Sequence, residues 1–198
     1  MVLNQNPIKL LVGLGNPGDE YAETRHNAGA WFVNELANHH NVSLRFENKF
    51  SGLFGSLNYQ GTECKLLLPA TYMNKSGQSV LACANFYKIP LSSILAAHDE
   101  LDFTPGIVRL KFGGGHGGHN GLRDIAARCG GSDFYRLRIG IGHPGNKDLV
   151  SGYVLSKPSR DDKNKITNSI ENAGAILPEL LRGDIEKAMN ILHDDKNM

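Results

Sequence analysis

The feature that most constrains the fold is a short apolar run that ends in a glycine-rich turn. Residues 8–14 read Ile-Lys-Leu-Leu-Val-Gly-Leu, and the turn that follows carries Asn16 and leads to His26. A short apolar run between turn residues is typical of a strand buried on both faces of a parallel sheet. Open α/β sheets bind ligands beyond the carboxyl ends of such strands, so Asn16 and His26 are candidate site residues.

Strand-like and helix-like segments alternate along the rest of the chain. A hairpin is predicted over residues 52–68, so the sheet cannot be purely parallel. We expect an α/β fold with three α/β/α layers around a twisted, mixed and partly parallel sheet, in one domain spanning residues 1–198. Further strands are predicted at residues 94–97, 107–112 and 135–141, helices at 27–39, after Gly77, after Gly121, at 166–177 and at 185–192, and a looser polar stretch at 142–157.

The charge of the chain is nearly balanced overall but uneven along its length. The formal net charge is +1, so composition alone does not indicate a nucleic-acid partner. Residues 109–138 nevertheless carry six basic and two acidic side chains, whereas residues 159–198 carry six basic and eight acidic ones. The middle of the chain can therefore hold a polyanion, and the C-terminal part cannot do so by charge alone.

The cysteines and the absence of targeting patterns bear on the location of the protein. Cys64, Cys83 and Cys129 share no metal or redox spacing, and each lies among apolar residues. Buried thiols of this kind are typical of a reducing compartment. The sequence has neither a secretion-signal pattern nor an apolar run of membrane-spanning length. We therefore expect a cytoplasmic protein without a membrane partner.

Two residues have the chemistry of a base and its orienting carboxylate. His26 precedes a helix, where histidines are usually surface or capping residues, but an imidazole pKa near neutrality also suits a general base. Asp99 ends a short strand, either as a solvated turn residue or as the carboxylate that fixes one imidazole tautomer. The sequence lacks both a G-x-S-x-G motif and a cysteine near a histidine. A His–Asp pair without such a nucleophile suggests direct attack by water.

Three asparagines, Asn16, Asn74 and Asn120, lie at sharp turns or loop-to-helix junctions. Helix N-capping is one explanation of such positions, particularly for Asn120. Amide side chains along one sheet edge would equally suit carbonyl binding or an oxyanion site. The spacing alone leaves both interpretations open.

Two other patterns have weaker support. Gly13, Gly15 and Gly18 match the dinucleotide motif G-x-G-x-x-G, but Asp19 and Glu20 follow where a helix N-terminus should receive the phosphate. A turn with close backbone approach is the simpler interpretation. The second pattern combines Asp99 with His116, His119 and His143. These residues lack the spacing of metal ligands, so we expect no required metal.

Lys111 and Arg138 point away from the apolar faces of two predicted strands. An ordinary solvated sheet face would explain this. A phosphate clamp would explain it too, because Arg109 and Arg136 add positive charge on the same strands.

Together these stretches resemble the bacterial-type peptidyl-tRNA hydrolase family. The resemblance extends over most of the chain in order and spacing, and its combination of motifs is far more specific than any one of them. It rests on Val12–Gly18 with Tyr21, on Thr24–Gly29, Met73–Gly77 and His98–Asp102, on Lys111 with Gly113–Leu122, and on Arg136–Gly142.

The resemblance implies a monomeric α/β/α enzyme without a cofactor. Such an enzyme hydrolyses the ester between a peptide C-terminus and the 3′ ribose of tRNA, a step that belongs to translation and ribosome rescue. The implied catalytic residues are His26, the orienting carboxylate Asp99 and the asparagine Asn16. The implied binding residues are Asn74 and Asn120 for the substrate, Tyr21, Met73 and His119 along the cleft for the peptide and CCA end, and Lys111 and Arg138 for the 5′ phosphate of the acceptor stem.

These expectations combine into one mechanistic hypothesis. His26, held by Asp99, removes a proton from water as that water attacks the ester carbonyl. Asn16 positions His26 or the substrate, and Asn74 orients the water or the developing oxyanion. The competing hypotheses are a non-catalytic RNA-binding domain that uses the basic strands, and a nucleotide-dependent oxidoreductase that binds its cofactor at residues 13–18.

Overall fold

The structure, a computed structural model, describes residues 6–193, and their strands form one mixed sheet. The strands are β1 (Leu10–Gly13), β2 (Arg45–Glu47), β3 (Gly52–Tyr59), β4 (Thr62–Pro69), β5 (Ile94–Glu100), β6 (Val108–Phe112) and β7 (Tyr135–Gly140). Their spatial order is β2-β3-β4-β1-β5-β7-β6. The pairs β4–β1, β1–β5 and β5–β7 are parallel, and the others are antiparallel. The predicted mixed, partly parallel sheet is therefore confirmed.

Helices cover both faces of the sheet. The helices are α1 (Ala28–His39), α2 (Ser76–Tyr87), α3 (Asn120–Cys129), α4 (Val150–Val154), α5 (Arg160–Gly174), α6 (Leu177–Arg182) and α7 (Ile185–His193). Apolar residues of α1, α5, α6 and α7 pack into one core cluster, and those of α2 and α3 into a second. The two clusters lie on opposite faces, which gives the three α/β/α layers expected from the sequence.

The central strand explains why its sequence is apolar without alternation. Leu11 of β1 belongs to one core cluster, and Leu10 and Val12 belong to the other. All three are fully buried. A strand covered by helices on both faces needs apolar side chains in both directions, so the apolar run predicts the interior position of β1.

A close backbone approach brings the first loop against the end of β5. A Cβ atom at Gly29 would lie 2.1 Å from the carbonyl oxygen of Ala97, so only glycine fits at this contact. The Leu14 N–H donates to the same carbonyl oxygen at 3.0 Å. The turn before α1 is thereby fixed beside the carboxyl end of β5, where Asp99 lies.

Three details differ from the sequence-based expectation. The short edge strand β2 was not predicted, because three residues are too few to show alternation. The stretch at 142–157 contains the helix α4, which lacks apolar periodicity. The helix expected at 166–177 begins earlier, where the Ser159 side chain accepts from the Asp162 N–H. It ends at Gly174, and α6 begins at Leu177 with Pro178 in its first turn.

Between residues 6 and 193 we find no helix with both the length and the apolar character that crossing a membrane requires.

Candidate functional site

The carboxyl ends of β1 and β5 open into a cleft of about 1240 Å³. One wall comes from the loops after β1 and β4, another from the glycine-rich loop before α3, and a third from α4. Every residue to which the sequence assigned a site role lines this cleft: Asn16, Tyr21, His26, Met73, Asn74, Asp99, Lys111, His119, Asn120 and Arg138.

A buried histidine–carboxylate pair lines the cleft. His26 lies in a 3₁₀ turn (Arg25–Asn27) directly before α1, and Asp99 lies near the end of β5. Nδ1 of His26 is 2.8 Å from Oδ1 of Asp99, and both side chains are buried. The carboxylate accepts the Nδ1–H, which leaves Nε2 of His26 as the basic nitrogen. The sequence-based expectation that these two distant residues meet agrees with this geometry.

Burial and charge have opposite effects on His26. Burial lowers the pKa of the imidazole, but the negative charge of Asp99 and the hydrogen bond to it outweigh burial. The net result is a pKa above the ordinary histidine value. For Asp99, burial raises the pKa of the carboxyl, while His26 and His119 lower it more strongly. The pKa of Asp99 therefore lies well below its ordinary range, and the carboxylate stays ionised.

His119 is a second imidazole on the same carboxylate oxygen. Its Nε2 lies 3.0 Å from Oδ1 of Asp99. Its Nδ1 accepts from the backbone N–H groups of Gly121 and Leu122, so His119 is the N-cap of α3. An acceptor Nδ1 places the ring proton on Nε2, which therefore donates to Asp99. Of the two interpretations left open for Asn120, N-capping does not apply, because His119 takes that position.

The three ligand atoms of His26, Asp99 and His119 lie within 4.8 Å of one another, close enough to hold a metal ion. The hydrogen bonds argue for a different arrangement. Nδ1 of His119 is committed to two backbone N–H groups, so Nε2 keeps its proton and has no lone pair to give a metal. His26 likewise donates from Nδ1. The cluster is therefore built as two donors on one carboxylate.

Asn16 is held so that its side chain presents a donor. Its backbone N–H donates to Oδ1 of Asn27 and its carbonyl accepts from Nδ2 of Asn27, both at 2.9 Å. Its own Oδ1 accepts from the Met73 N–H at 2.8 Å. Because that contact fixes which end of the amide is oxygen, Nδ2 of Asn16 is the atom left for a ligand in the cleft.

The other two asparagines are exposed at the cleft wall. Asn74 lies in the 3₁₀ turn Met73–Lys75, and its side chain caps neither that turn nor α2. Asn120 is the first residue of α3, and its Oδ1 accepts from Arg123 at 2.5 Å. With capping removed as an explanation, both amides have donors free for a bound molecule.

The aromatic and basic residues to which the sequence assigned binding roles line the same cleft. The ring of Tyr21 packs edge-on against the ring of Tyr72, with the ring centres 6.4 Å apart, beside the loop that carries Met73. Lys111 is exposed on β6, and Arg138 is half-buried on β7. Nε of Arg138 lies 2.8 Å from a carboxylate oxygen of Glu100, so its charge is already partly balanced.

Two buried residues of the cleft were not identified as site residues from the sequence. Burial, with the neighbouring His119 second, lowers the pKa of His98 to about 3, so this ring stays neutral against the ring of His119. Arg136, expected to face solvent, is buried because its guanidinium donates to the carbonyls of Gly114 and Gly115. The alternation of side chains along β5 and β7 could have identified both residues, because it places His98, Arg136 and Arg138 on the same face of the sheet.

The glycine motif at residues 13–18 lacks the context of a dinucleotide site. After Gly18 the chain continues as turns, and the first α-helix begins only at Ala28. The start of α1 packs against this turn, and its Ala30 N–H donates to the Leu14 carbonyl at 3.0 Å, so that N–H is already paired and is not available to a pyrophosphate. The turn instead delivers Asn16 to the cleft.

Comparison with known proteins gives a consistent result. The family model described as peptidyl-tRNA hydrolase matches residues 10–198. A peptidyl-tRNA hydrolase of Pseudomonas paraeruginosa is 56% identical over 190 residues, which are 96% of this chain and 98% of that protein. One of Alcanivorax borkumensis is 54% identical over 192 residues, with coverage of 96% and 98%. The crystal structure of peptidyl-tRNA hydrolase from Acinetobacter baumannii covers 100% of both chains with a TM-score of 0.93 and 50% sequence identity.

Proposed function

The chain belongs to the peptidyl-tRNA hydrolase family and hydrolyses peptidyl-tRNA, and we propose that it does so with His26 as the general base. The observation that carries this proposal is the 2.8 Å contact between Nδ1 of His26 and Asp99, which leaves Nε2 unprotonated at the cleft. The bond cleaved is the ester between the peptide C-terminal carbonyl and the 3′ oxygen of the terminal ribose.

The chemistry begins with a water molecule between Nε2 of His26 and the ester carbonyl. Nε2 takes a proton as the water oxygen bonds to the carbonyl carbon, and the carbonyl oxygen becomes negative. The tetrahedral intermediate then collapses, the bond to the 3′ oxygen breaks, and His26 returns the proton to that oxygen. The products are a peptide with a free carboxylate and a tRNA with a free 3′ hydroxyl.

The amide groups supply the electrostatic part of the mechanism. Nδ2 of Asn16 is a fixed donor, because its Oδ1 is held by the Met73 N–H at 2.8 Å, and it positions the substrate or His26. Asn74 orients the water or donates to the developing oxyanion, and Asn120 holds the substrate. Preorganised donors of this kind cost no reorganisation during the reaction.

Two kinds of side chain in the cleft suit the two parts of the substrate. Tyr21, Met73 and His119 line the path of the peptide and the CCA end, while Lys111 and Arg138 hold the 5′ phosphate of the acceptor stem. This division rests on chemistry, because cations bind phosphate and aromatic faces bind bases or apolar side chains. A non-catalytic RNA-binding domain or an oxidoreductase would leave the His26–Asp99 pair and the fixed amide of Asn16 without a role.

We also propose that the enzyme is a cytoplasmic monomer made of one domain, which acts in translation and in rescue of ribosomes. The match of the family model to residues 10–198 and the single sheet of the described residues support one domain. The three cysteines are free thiols, as suits a reducing compartment.

The test is the turnover of an N-blocked aminoacyl-tRNA by His26→Ala. We expect the rate to fall by about 10²–10⁴-fold, because the base is lost, while the affinity for tRNA stays within about twofold. The matched control is His39→Ala, since His39 is an exposed histidine of α1 outside the cleft. Turnover by His26→Ala at the wild-type rate would remove His26 from this role.

A further inference from the structure

Arg25, the residue directly before His26, is a buried cation that the mechanism above does not use. Its side chain is only 7% exposed. Among the described residues no carboxylate lies within ion-pair distance of its guanidinium, and its Nε has no hydrogen-bond partner. A buried charge held without an opposite charge is costly, so its contacts deserve a functional explanation.

The guanidinium of Arg25 is taken up by the end of the segment that contains α4. Its Nη1 donates to the Ser156 hydroxyl at 2.7 Å and to the carbonyl oxygens of Lys157 at 3.0 Å and Ser156 at 3.2 Å. It also lies 3.4 Å from the carbonyl oxygen of Tyr153. The backbone N–H of Arg25 donates to the Ser156 carbonyl at 3.1 Å. Arg25 therefore satisfies the free carbonyls that follow a helix of five residues.

Tyr153 connects the same segment to the sheet. The Arg25 guanidinium stacks on the Tyr153 ring, with Cζ 4.0 Å from the ring centre. The Tyr153 hydroxyl donates to the carbonyl oxygen of Ile141 at 2.7 Å, just beyond β7. The segment from Ile141 to Lys157 is thus held at both ends, and Arg25 makes most of the contacts at the second end.

The α4 segment is one wall of the cleft. Six residues between Ile141 and Lys157 line the cavity that also contains His26 and Asp99: His143, Lys147, Val150, Ser151, Val154 and Leu155. Since α4 spans only Val150–Val154 and none of its residues is fully buried, its own core contacts are few. A helix this short is not stable by itself and depends on external contacts.

We infer that Arg25 is a positioning residue that holds the α4 wall of the cleft in place for peptidyl-tRNA. The inference rests on the proposed function, because it takes the cleft around His26 as the site of hydrolysis. His26 itself is oriented by Asp99 and not by the α4 segment. Loss of the Arg25 contacts therefore weakens substrate binding and leaves the chemical step largely intact.

The basic residues of the cleft and Arg25 act on the substrate in different ways. Lys111 is exposed and available to a phosphate, whereas the Nη1 donor of Arg25 is directed to protein oxygens. Removing a phosphate contact changes the salt dependence of binding. Removing Arg25 alters the cleft wall without removing a phosphate contact, so the salt dependence stays the same.

The experiment measures steady-state kinetics of Arg25→Met and Arg25→Lys on an N-blocked aminoacyl-tRNA at several salt concentrations. For Arg25→Met we expect KM to rise about 10-fold or more, kcat to stay within about threefold, and the salt slope of KM to match the wild type. Arg25→Lys, which keeps the charge but not the planar fork, should give a smaller rise in KM. Arg45→Met is the matched control, since Arg45 is an exposed arginine outside the cleft.

Two further measurements keep the inference testable if Arg25→Met folds poorly. Tyr153→Phe removes only the hydroxyl contact to Ile141 and should raise KM by a smaller factor in the same direction. Trypsin cleavage after Lys147 should become faster in both variants, because the segment opens more often. A folded Arg25→Met with wild-type KM, or with an unchanged KM and a reduced kcat, would overturn the inference. His26→Ala assayed in parallel identifies failure of the proposed function, which would appear as retained turnover in that variant.

Discussion

Two groups of residues in the cleft differ in how completely their polar atoms are already paired. In the catalytic group, His26 and His119 both donate to Oδ1 of Asp99, and the Asn16 oxygen is fixed by the Met73 N–H. In the basic group, Lys111 is exposed, and Arg138 forms an ion pair with Glu100.

This difference matches the separation of chemistry from binding that we propose. A base and its donors must be held in one geometry before the substrate arrives, and in the catalytic group neighbours set the tautomers of His26 and His119 and the amide orientation of Asn16. Phosphate binding depends mainly on the positive charge that the protein supplies. The Arg138–Glu100 pair lowers the free positive charge of the basic group.

Among three variants that compare the two groups, the largest effect is expected from changing the Asn16 donor in the catalytic group. Asn16→Asp keeps an oxygen for the Met73 N–H but replaces the Nδ2 donor with an acceptor. We expect kcat, measured at its plateau at high pH, to fall by about 10²–10³-fold with little change in KM. Asn58→Asp is the control, since Oδ1 of Asn58 accepts from the Gly61 N–H in the hairpin outside the cleft. A kcat within about threefold of the wild type would exclude Asn16 as a catalytic donor.

The double variant Lys111→Ala/Arg138→Ala tests the basic group. Loss of the two proposed phosphate contacts should raise KM by about 10- to 100-fold at low salt and reduce its dependence on salt, with kcat nearly unchanged. The control pair is Lys9→Ala/Arg45→Ala, because both residues are exposed outside the cleft. If the salt slope of the cleft variant equals that of the control, these residues do not contact phosphate.

The smallest expected effect comes from freeing Arg138. Glu100→Gln removes the charge at 2.8 Å from Nε of Arg138 and keeps the size of the side chain. We expect KM to fall by about two- to fivefold, in line with the modest strength of partly exposed ion pairs. Glu63→Gln, which breaks the Glu63–Lys65 pair away from the cleft, should leave KM unchanged. A rise in KM for Glu100→Gln would mean that Glu100 orients Arg138 for the phosphate instead of competing with it.

The sequence predicted the sheet and its layers because their signals are local. The apolar run of β1 and the hairpin of β3 and β4 follow from periodicity and turn residues alone. The same reasoning placed polar residues near the ends of strands, so the sequence alone suggested that His26 and Asp99 form a pair. The short elements β2 and α4 show no hydrophobic periodicity. The helix α4 is instead held by tertiary contacts such as those of Arg25, which a local sequence pattern does not reveal.

Side-chain partners were harder to predict than positions. N-cap preferences favour Asn120 over His119, yet the Nδ1 atom of His119 accepts from the first backbone N–H groups of α3 and caps the helix. The burial of Arg136 depends on carbonyl groups of the glycine-rich loop, whose backbone path is not encoded by side-chain patterns. The ion pair of Arg138 with Glu100 joins neighbouring strands and requires their register to be known.

The most direct test of the central claim is the pH dependence of kcat/KM for the wild type and for Asp99→Asn. Because a base must be unprotonated, activity rises with pH through the pKa of His26, which Asp99 holds above the ordinary value of 6.5. Without the carboxylate charge, burial acts unopposed on His26 and lowers its pKa. The account predicts that Asp99→Asn moves the acidic limb from above 6.5 to below it and reduces the plateau by about 10²–10⁴-fold. An acidic limb at the same pH in both proteins would contradict the assignment of His26, held by Asp99, as the base.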